Sequence, residues 1–363
     1  MIHFFACGGT GGHIFPALAT AQEIRRRDPS HRVFFLCGRR DIENEIFRAV
    51  PPADVLTVDS APYRGLSSFA DPRFLIRLAK GFFQARAYMR KWRPGLVTGF
   101  GGYVAFPVIW AAASLGIRTT LHEQNARPGR SNRYLAGLTR SVALSYPESA
   151  LFFPGAKSIK VTGNPIRPEI ETGRRGEAMT YFGFSPHKKT LLVLGGSQGA
   201  ESVNRLFLDG LEHWSREMKD SIQVLHLCGR MSPDEARERC QAQGVTGAAF
   251  SFFDRMELAY AVSDLCVGRA GATFLAEIAY KDIPAVLVPY PHGDAHQKEN
   301  ARIFAKTHPA WVEEQATLTP ERLARLLEEI FKGRGPKAAE AAAGKRLNAR
   351  EQLADFLEEC ASR

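Results

Sequence analysis

Long apolar runs are missing from this 363-residue chain. Nowhere do about 18 consecutive apolar residues occur, the length a helix needs to cross a bilayer. The start, Met-Ile-His-Phe-Phe-Ala-Cys-Gly-Gly, lacks the basic residues, long apolar core and cleavage site of a secretory signal, so none is expected. Cysteine is sparse. Cys7, Cys37, Cys228, Cys240, Cys266 and Cys360 form no Cys-x-x-Cys pair and no zinc spacing with histidine. Four of them (Cys7, Cys37, Cys228, Cys266) lie in or end apolar runs, where cysteine acts as a small buried hydrophobe, and this usage fits a reducing compartment. Two nucleotide signatures are also absent. No Gly-Lys-Ser/Thr follows a glycine loop, which argues against a Walker A site. The Gly-x-Gly-x-x-Gly dinucleotide spacing fails too, and the second strand ends in Cys37-Gly38-Arg39-Arg40, without the acid that would bind a ribose. An arginine there keeps a 2′-phosphorylated dinucleotide as an alternative.

A hydrophobic share of 45% and a charged share of 24% describe a globular chain, and its length suits two cores. The formal charge of +10 favours acidic partners: nucleic acid, a phosphorylated substrate or an anionic membrane. Short apolar runs alternate with helical patterns. Residues 2–7, 33–37, 96–100 and 118–123 read as strands of a first half, with 142–145 and 158–162 adding two. Residues 190–194, 223–228, 249–253, 265–268 and 285–288 repeat the pattern in a second half. Strands separated by helices predict parallel sheets covered on both faces. The expected fold is therefore α/β, with two Rossmann-like domains whose sheets face a cleft. The join falls near Val161-Thr162-Gly163-Asn164-Pro165, giving domains of 1–162 and 163–339, with a C-terminal helix at about 340–363 returning onto the first.

Each half opens with a glycine loop after its first strand: Gly8-Gly9-Thr10-Gly11-Gly12-His13 and Gly195-Gly196-Ser197-Gln198-Gly199-Ala200. Such loops let backbone N–H groups and a helix N-terminus approach phosphate; a bare tight turn is the alternative. His13, beside the first loop, is placed to take a proton or bind an oxyanion, unless it only caps the helix. His122 and Glu123 are the other candidate bases. Between Asp71 and Trp92 lies a basic amphipathic helix. Leu75, Leu78, Phe82 and Trp92 share one side, flanked by Phe74, Phe83 and Met89, with Arg73, Arg77, Lys80 and Lys91 on another. It docks on an anionic leaflet or packs into the first domain.

These loops, with Pro16, Gly101-Gly102-Tyr103-Val104, His122-Glu123-Gln124-Asn125, Gly163-Asn164-Pro165-Ile166-Arg167, Arg269-Ala270-Gly271-Ala272 and His296-Gln297-Lys298-Glu299-Asn300-Ala301, resemble the motifs of the MurG family, in the family's order. The resemblance implies a GT-B glycosyltransferase of cell-wall peptidoglycan synthesis with no obligatory metal and no cofactor. It would move GlcNAc from UDP-GlcNAc to the muramyl 4-hydroxyl of undecaprenyl-diphospho-MurNAc-pentapeptide with inversion, as a peripheral protein on the cytoplasmic face of the membrane. It also implies an acceptor side at Thr10, Gly11, Gly12, His13, Tyr103 and Asn125, and a donor side at Arg167, Ser197, Phe253, Ala272, Thr273, Phe274, Glu277 and Gln297. In that scheme Ser197 holds phosphates, Glu277 the ribose hydroxyls, Gln297 the sugar, and the backbone of Phe253 reads uracil. Asn125 could instead be a turn residue, Arg167 a surface ion pair and Glu277 a solvated helix acid. Phe274 stands where the family often has threonine, and His296 where some relatives have glutamine. A UDP-GlcNAc 2-epimerase or a lipid-A-disaccharide synthase would share fold and donor, but the motifs of the first half argue against both. A nucleic-acid binder lacks its interleaved basic and aromatic motif, so no nucleic acid is expected.

Overall fold

The computed structural model describes residues 1–39, 46–62, 68, 70–195, 199–291, 295–334 and 348–362. Contacts divide the chain into two compact units. One holds Met1–Arg167 with the C-terminal helix Ala349–Ser362, and the other runs from Pro168 through the helix Pro320–Phe331.

The first unit contains seven parallel strands: β1 (Ile2–Ala6), β2 (Arg32–Cys37), β3 (Val55–Thr57), β4 (Leu96–Gly99), β5 (Thr119–Glu123), β6 (Ser141–Leu144) and β7 (Ser158–Val161). Their order is β3-β2-β1-β4-β5-β6-β7. Successive residues point to opposite faces. Phe4 and Ala6 enter one core, while Phe5 and Cys7 enter the other. Each fully buried phenylalanine contributes roughly 1.5–3 kcal/mol. The winding reverses between β1 and β4, so the loops leaving these strands lie side by side at the carboxyl edge, where open α/β sheets bind ligands. The C-terminal helix sends Phe356 and Leu357 into the core that holds Phe5 and Ile14. Arg27, ending the helix Gly11–Arg27, meets the Asp355 carboxylate at 2.5 Å and the Glu351 carbonyl at 3.0 Å.

The second unit repeats the plan with β8 (Lys189–Leu194), β9 (Ile222–Leu227), β10 (Thr246–Phe250), β11 (Leu265–Gly268), β12 (Ala285–Leu287) and β13 (Ala310–Val312), ordered β10-β9-β8-β11-β12-β13 and parallel throughout. Its reversal falls between β8 and β11. The strand expected at 249–253 lies at Thr246–Phe250 instead. Phe252 and Phe253 drew the expectation downstream, but Phe253 leaves the sheet to pack on Phe250 and Phe182, with ring centroids at 5.0 and 5.4 Å. The three-residue edge strands β3 and β13 were not expected.

The basic amphipathic helix spans Pro72–Trp92, with Asp71 accepting the Arg73 N–H as its cap and proline at the first position. Its apolar residues do not share one side. Phe74, Gly81, Ala85 and Met89 are buried, and Gly81 lies so close to the Asp59 carbonyl that a Cβ would sit 1.9 Å from the oxygen. Leu78, Phe82 and Trp92 are half-buried, whereas Leu75, Ile76 and Phe83 are 43%, 65% and 67% exposed. The sequence grouped Leu75 with Leu78, Phe82 and Trp92, but Leu75 is exposed where those three are half-buried.

Candidate active site

In the first unit, the reversal between β1 and β4 brings two glycine segments onto one histidine. His13 is the third residue of the helix Gly11–Arg27, and its Nδ1 lies 3.0 Å from the Gly8 carbonyl and 3.3 Å from the Thr10 hydroxyl. A carbonyl only accepts, so Nδ1 carries the hydrogen and Nε2 is the basic nitrogen of the neutral ring. Gly101 and Gly102, at φ +97° and +77°, press against this ring. A Cβ at Gly101 would lie 3.0 Å from His13 Cδ2, and one at Gly102 only 2.2 Å from the Gly8 carbonyl. The Tyr103 ring covers Gly9, approaching within 3.3 Å of where its Cβ would be. Thr10, His13 and Tyr103 are thus brought together.

Asn125 follows β5 and is held by a buried carboxylate. Glu123 Oε1 accepts from the Asn125 backbone N–H (2.9 Å) and side-chain amide (3.0 Å). Its Oε2 accepts from the Gly129 N–H (3.1 Å) and the Asn132 amide (2.9 Å). With four donors filling both oxygens, Glu123 organises the 125–129 loop. His122 is likewise committed. Its Nδ1 accepts from the Gln124 amide at 3.1 Å, its Nε2 donates to the Gly163 carbonyl at 3.1 Å, and burial lowers its pKa to about 4. Of the three candidate bases, His13 is the one whose geometry suits the task. Arg167 lies in this unit with its guanidinium stacked 4.2 Å over the Phe15 ring, on the helix that carries His13.

In the second unit, Ala272, Thr273 and Phe274 form the buried first turn of the helix Ala272–Tyr280, after the N-cap Gly271. Glu277 follows on the same helix, 3% exposed, and accepts from the Tyr260 hydroxyl at 2.7 Å. It is therefore no solvated helix acid. Gln297, one residue into the helix His296–Phe304, accepts the Tyr290 N–H through its Oε1 at 2.9 Å and so closes the loop after β12. The Phe253 side chain is a core residue, 8% exposed. Ser197, its neighbours Gly196 and Gln198, and Arg40 lie outside the described residues.

The sequence matches the glycosyltransferase family 28 N-terminal domain over residues 3–144 and the C-terminal domain of the same family over residues 190–358. It is 36% identical to the UDP-N-acetylglucosamine–N-acetylmuramyl-(pentapeptide) pyrophosphoryl-undecaprenol N-acetylglucosamine transferase of Halothermothrix orenii, with 98% of each chain covered. The chain belongs to the MurG family. The Bacillus subtilis enzyme of the same name is 34% identical, with 89% of this chain and 88% of that one covered. The crystal structure of Acinetobacter baumannii MurG superposes with a TM-score of 0.74 at 27% identity, covering 99% of both chains. A Neisseria meningitidis UDP-GlcNAc 2-epimerase, solved with UDP-GlcNAc bound, superposes at a TM-score of 0.67 but only 12% identity, a likeness of fold alone. Like other MurG-family chains, this one is a glycosyltransferase of the two-domain GT-B type.

Three polar residues that support these positions were missed by sequence reasoning. Asn132 is 2% exposed and joins Glu123 to the His122 carbonyl. Tyr260, 2% exposed, fixes Glu277 from 17 residues away. Asn204, fully buried, joins the helix Glu201–Gly210 to the end of β9 through the Cys228 carbonyl at 2.7 Å and the His226 ring at 3.1 Å. For Tyr260 the signal was a polar group inside the apolar run 258–262, because such a group must find a partner; Asn132 and Asn204 stand among polar neighbours and gave no such signal.

Proposed function

We propose that this chain transfers N-acetylglucosamine from UDP-GlcNAc to the muramyl 4-hydroxyl of undecaprenyl-diphospho-MurNAc-pentapeptide, with inversion, in peptidoglycan synthesis. The likeness to named transferases along nearly the whole chain carries this reading. The geometry of each unit supports it. In the first, His13 Nε2 takes the proton of the attacking hydroxyl, its ring held by Gly8 and the two glycines at 101–102. Thr10, Gly11, Gly12, Tyr103 and Asn125 line the acceptor. In the second, Glu277 accepts the ribose hydroxyls while Tyr260 fixes its carboxylate, and the Phe253 backbone reads uracil. Ala272, Thr273, Phe274 and Gln297 lie along the donor sugar, with Ser197 on the diphosphate. Neither cofactor nor nucleic acid enters the scheme.

The acceptor is lipid-bound, so the reaction takes place at the cytoplasmic membrane surface. The exposed Leu75, Ile76 and Phe83, with the exposed Arg73, Arg77, Arg90 and Lys91 on the same helix and Trp110 42% exposed nearby, form the contact with an anionic leaflet. Trp110 is tied to this helix through Phe82, with ring centroids 4.6 Å apart. No helix among the described residues is long and apolar enough to span a membrane. The deciding experiment follows radiolabel from UDP-GlcNAc into a butanol-extractable lipid acceptor. Incorporation that depends on the lipid-linked muramyl pentapeptide is the expected result, and none with both substrates present overturns the reading.

A further inference from the structure

Arg269, directly after β11, is buried at 7% exposure, and it makes no ion pair with an acid among the described residues. Its Nη1 donates to the Val288 and Pro289 carbonyls at 3.0 and 3.2 Å. Its Nη2 donates to the Ser202 hydroxyl at 2.8 Å and to Gln315 Oε1 at 2.6 Å. All four acceptors are neutral. The Tyr290 ring adds a cation–π contact at 5.4 Å. Burial lowers its pKa, yet a guanidinium keeps its charge in proteins. Two half-buried arginines of the other unit, Arg25 and Arg27, meet acids instead, Asp54 and Asp355.

The position of this charge adds a second cost. Ser202 is the second residue of the helix Glu201–Gly210, so the guanidinium sits against the positive end of that helix. The acid of the same turn, Glu201, does not answer it, because its exposed carboxylate binds Arg205 at 2.7 Å. A buried cation with neutral partners at a helix N-terminus is unfavourable until an anion arrives. Its bonds also tie together the segments this site is built from. Val288 and Pro289 lead to Tyr290, whose N–H Gln297 accepts; Ser202 stands two residues after the second glycine loop. The adjoining Ala270 carbonyl is gripped by the Asn300 amide at 3.2 Å.

We infer that Arg269 is a positioning residue for the diphosphate of the nucleotide sugar, fixing the first turn of the helix Glu201–Gly210 to the Val288–Pro289 segment and supplying a charge that only an anionic ligand completes. This rests on the reading of the second unit as the donor site. Lysine offers the charge without the planar fork, and glutamine offers neither the charge nor the reach. The test compares Kd for UDP and for uridine by calorimetry in wild type, Arg269→Gln and Arg269→Lys, together with kcat and KM for transfer. Arg269→Gln is expected to weaken UDP roughly tenfold or more while moving uridine less than about threefold. Arg269→Lys should keep the uridine-to-UDP ratio within about threefold of wild type and lose kcat, since it cannot hold four acceptors. A folded Arg269→Gln that keeps the wild-type ratio, or weakens both ligands equally, overturns the inference. Should Arg269→Gln fail to fold, Arg269→Lys decides: a preserved ratio supports the charge, and a tenfold loss of ratio overturns it. Wild type that binds no UDP would instead overturn the donor-site reading.

Discussion

Glu123→Gln is nearly isosteric, so it changes the chemistry of the 125–129 loop without opening a cavity. The native carboxylate accepts four hydrogen bonds, two at each oxygen, from Asn125 (twice), Gly129 and Asn132. A glutamine must turn its NH2 toward one of these pairs, setting a donor against two donors. Two bonds to a charged group are lost, each contributing about 1.5–3 kcal/mol, so the expected destabilisation is about 3–6 kcal/mol. For a unit of this size, that lowers its melting midpoint by on the order of 10 °C. Freed from Glu123, the Asn125 amide should also lose its orientation, and transfer should slow while UDP affinity, which the proposed scheme assigns to the other unit, holds. The assay is a thermal melt of Glu123→Gln beside its UDP affinity and transfer rate. A variant melting with wild type would refute the clamp. One that melts normally but has lost its rate would show Glu123 to be the base, against the geometry described here.

His13→Ala should cut turnover by about 10²–10⁴-fold with UDP affinity nearly unchanged; near-normal turnover with a lowered midpoint would make His13 a structural residue. Glu277→Ala should weaken UDP binding by about 1–3 kcal/mol, and Tyr260→Phe by less, because the carboxylate remains. Calorimetry showing full UDP affinity in Glu277→Ala removes that residue from the site. His3, His122 and His226 are held neutral, chiefly by burial, with pKa values lowered to about 4 from 6.5. Their contribution to stability is intact above pH 6.5 and is lost as pH falls from there toward 4, at most about 3 kcal/mol each. Urea midpoints that stay flat from pH 7.5 to 4.5 would contradict this. Ile76→Asp with Phe83→Asp should release the protein from phosphatidylglycerol vesicles in sedimentation, and undiminished binding sinks the docking surface.

The fold was legible because most parallel strands buried on both faces are apolar along much of their length. Runs such as Phe4–Cys7 and Leu191–Leu194 therefore stand out from the amphipathic helices between them. What escaped notice sits at the edges. β3 and β13 are three residues long, and β10 reads Thr-Gly-Ala-Ala-Phe, too poor in branched residues to announce a strand. The split surface of the Pro72–Trp92 helix was hidden for a different reason. Periodicity identifies an apolar stripe, but the close approach of Gly81 to the Asp59 carbonyl sets which side of that stripe faces the sheet.

The site was legible where chemistry is local and hidden where it depends on distant partners. The glycine loops and His13 are neighbours in sequence, so their spacing carries their meaning. The roles of Glu123, Tyr260 and Arg269 depend on groups that folding brings near. Read alone, Glu123 is a candidate base at a strand end; its four donors make it a clamp. Arg269 shows the same limit from the other direction. As a residue in a glycine-rich motif it carries no assigned task, and only its neutral surroundings and its place at a helix N-terminus show that a negative charge is wanted there. A residue type therefore lists the reactions open to a side chain, and the partners already bound to it decide which remain available.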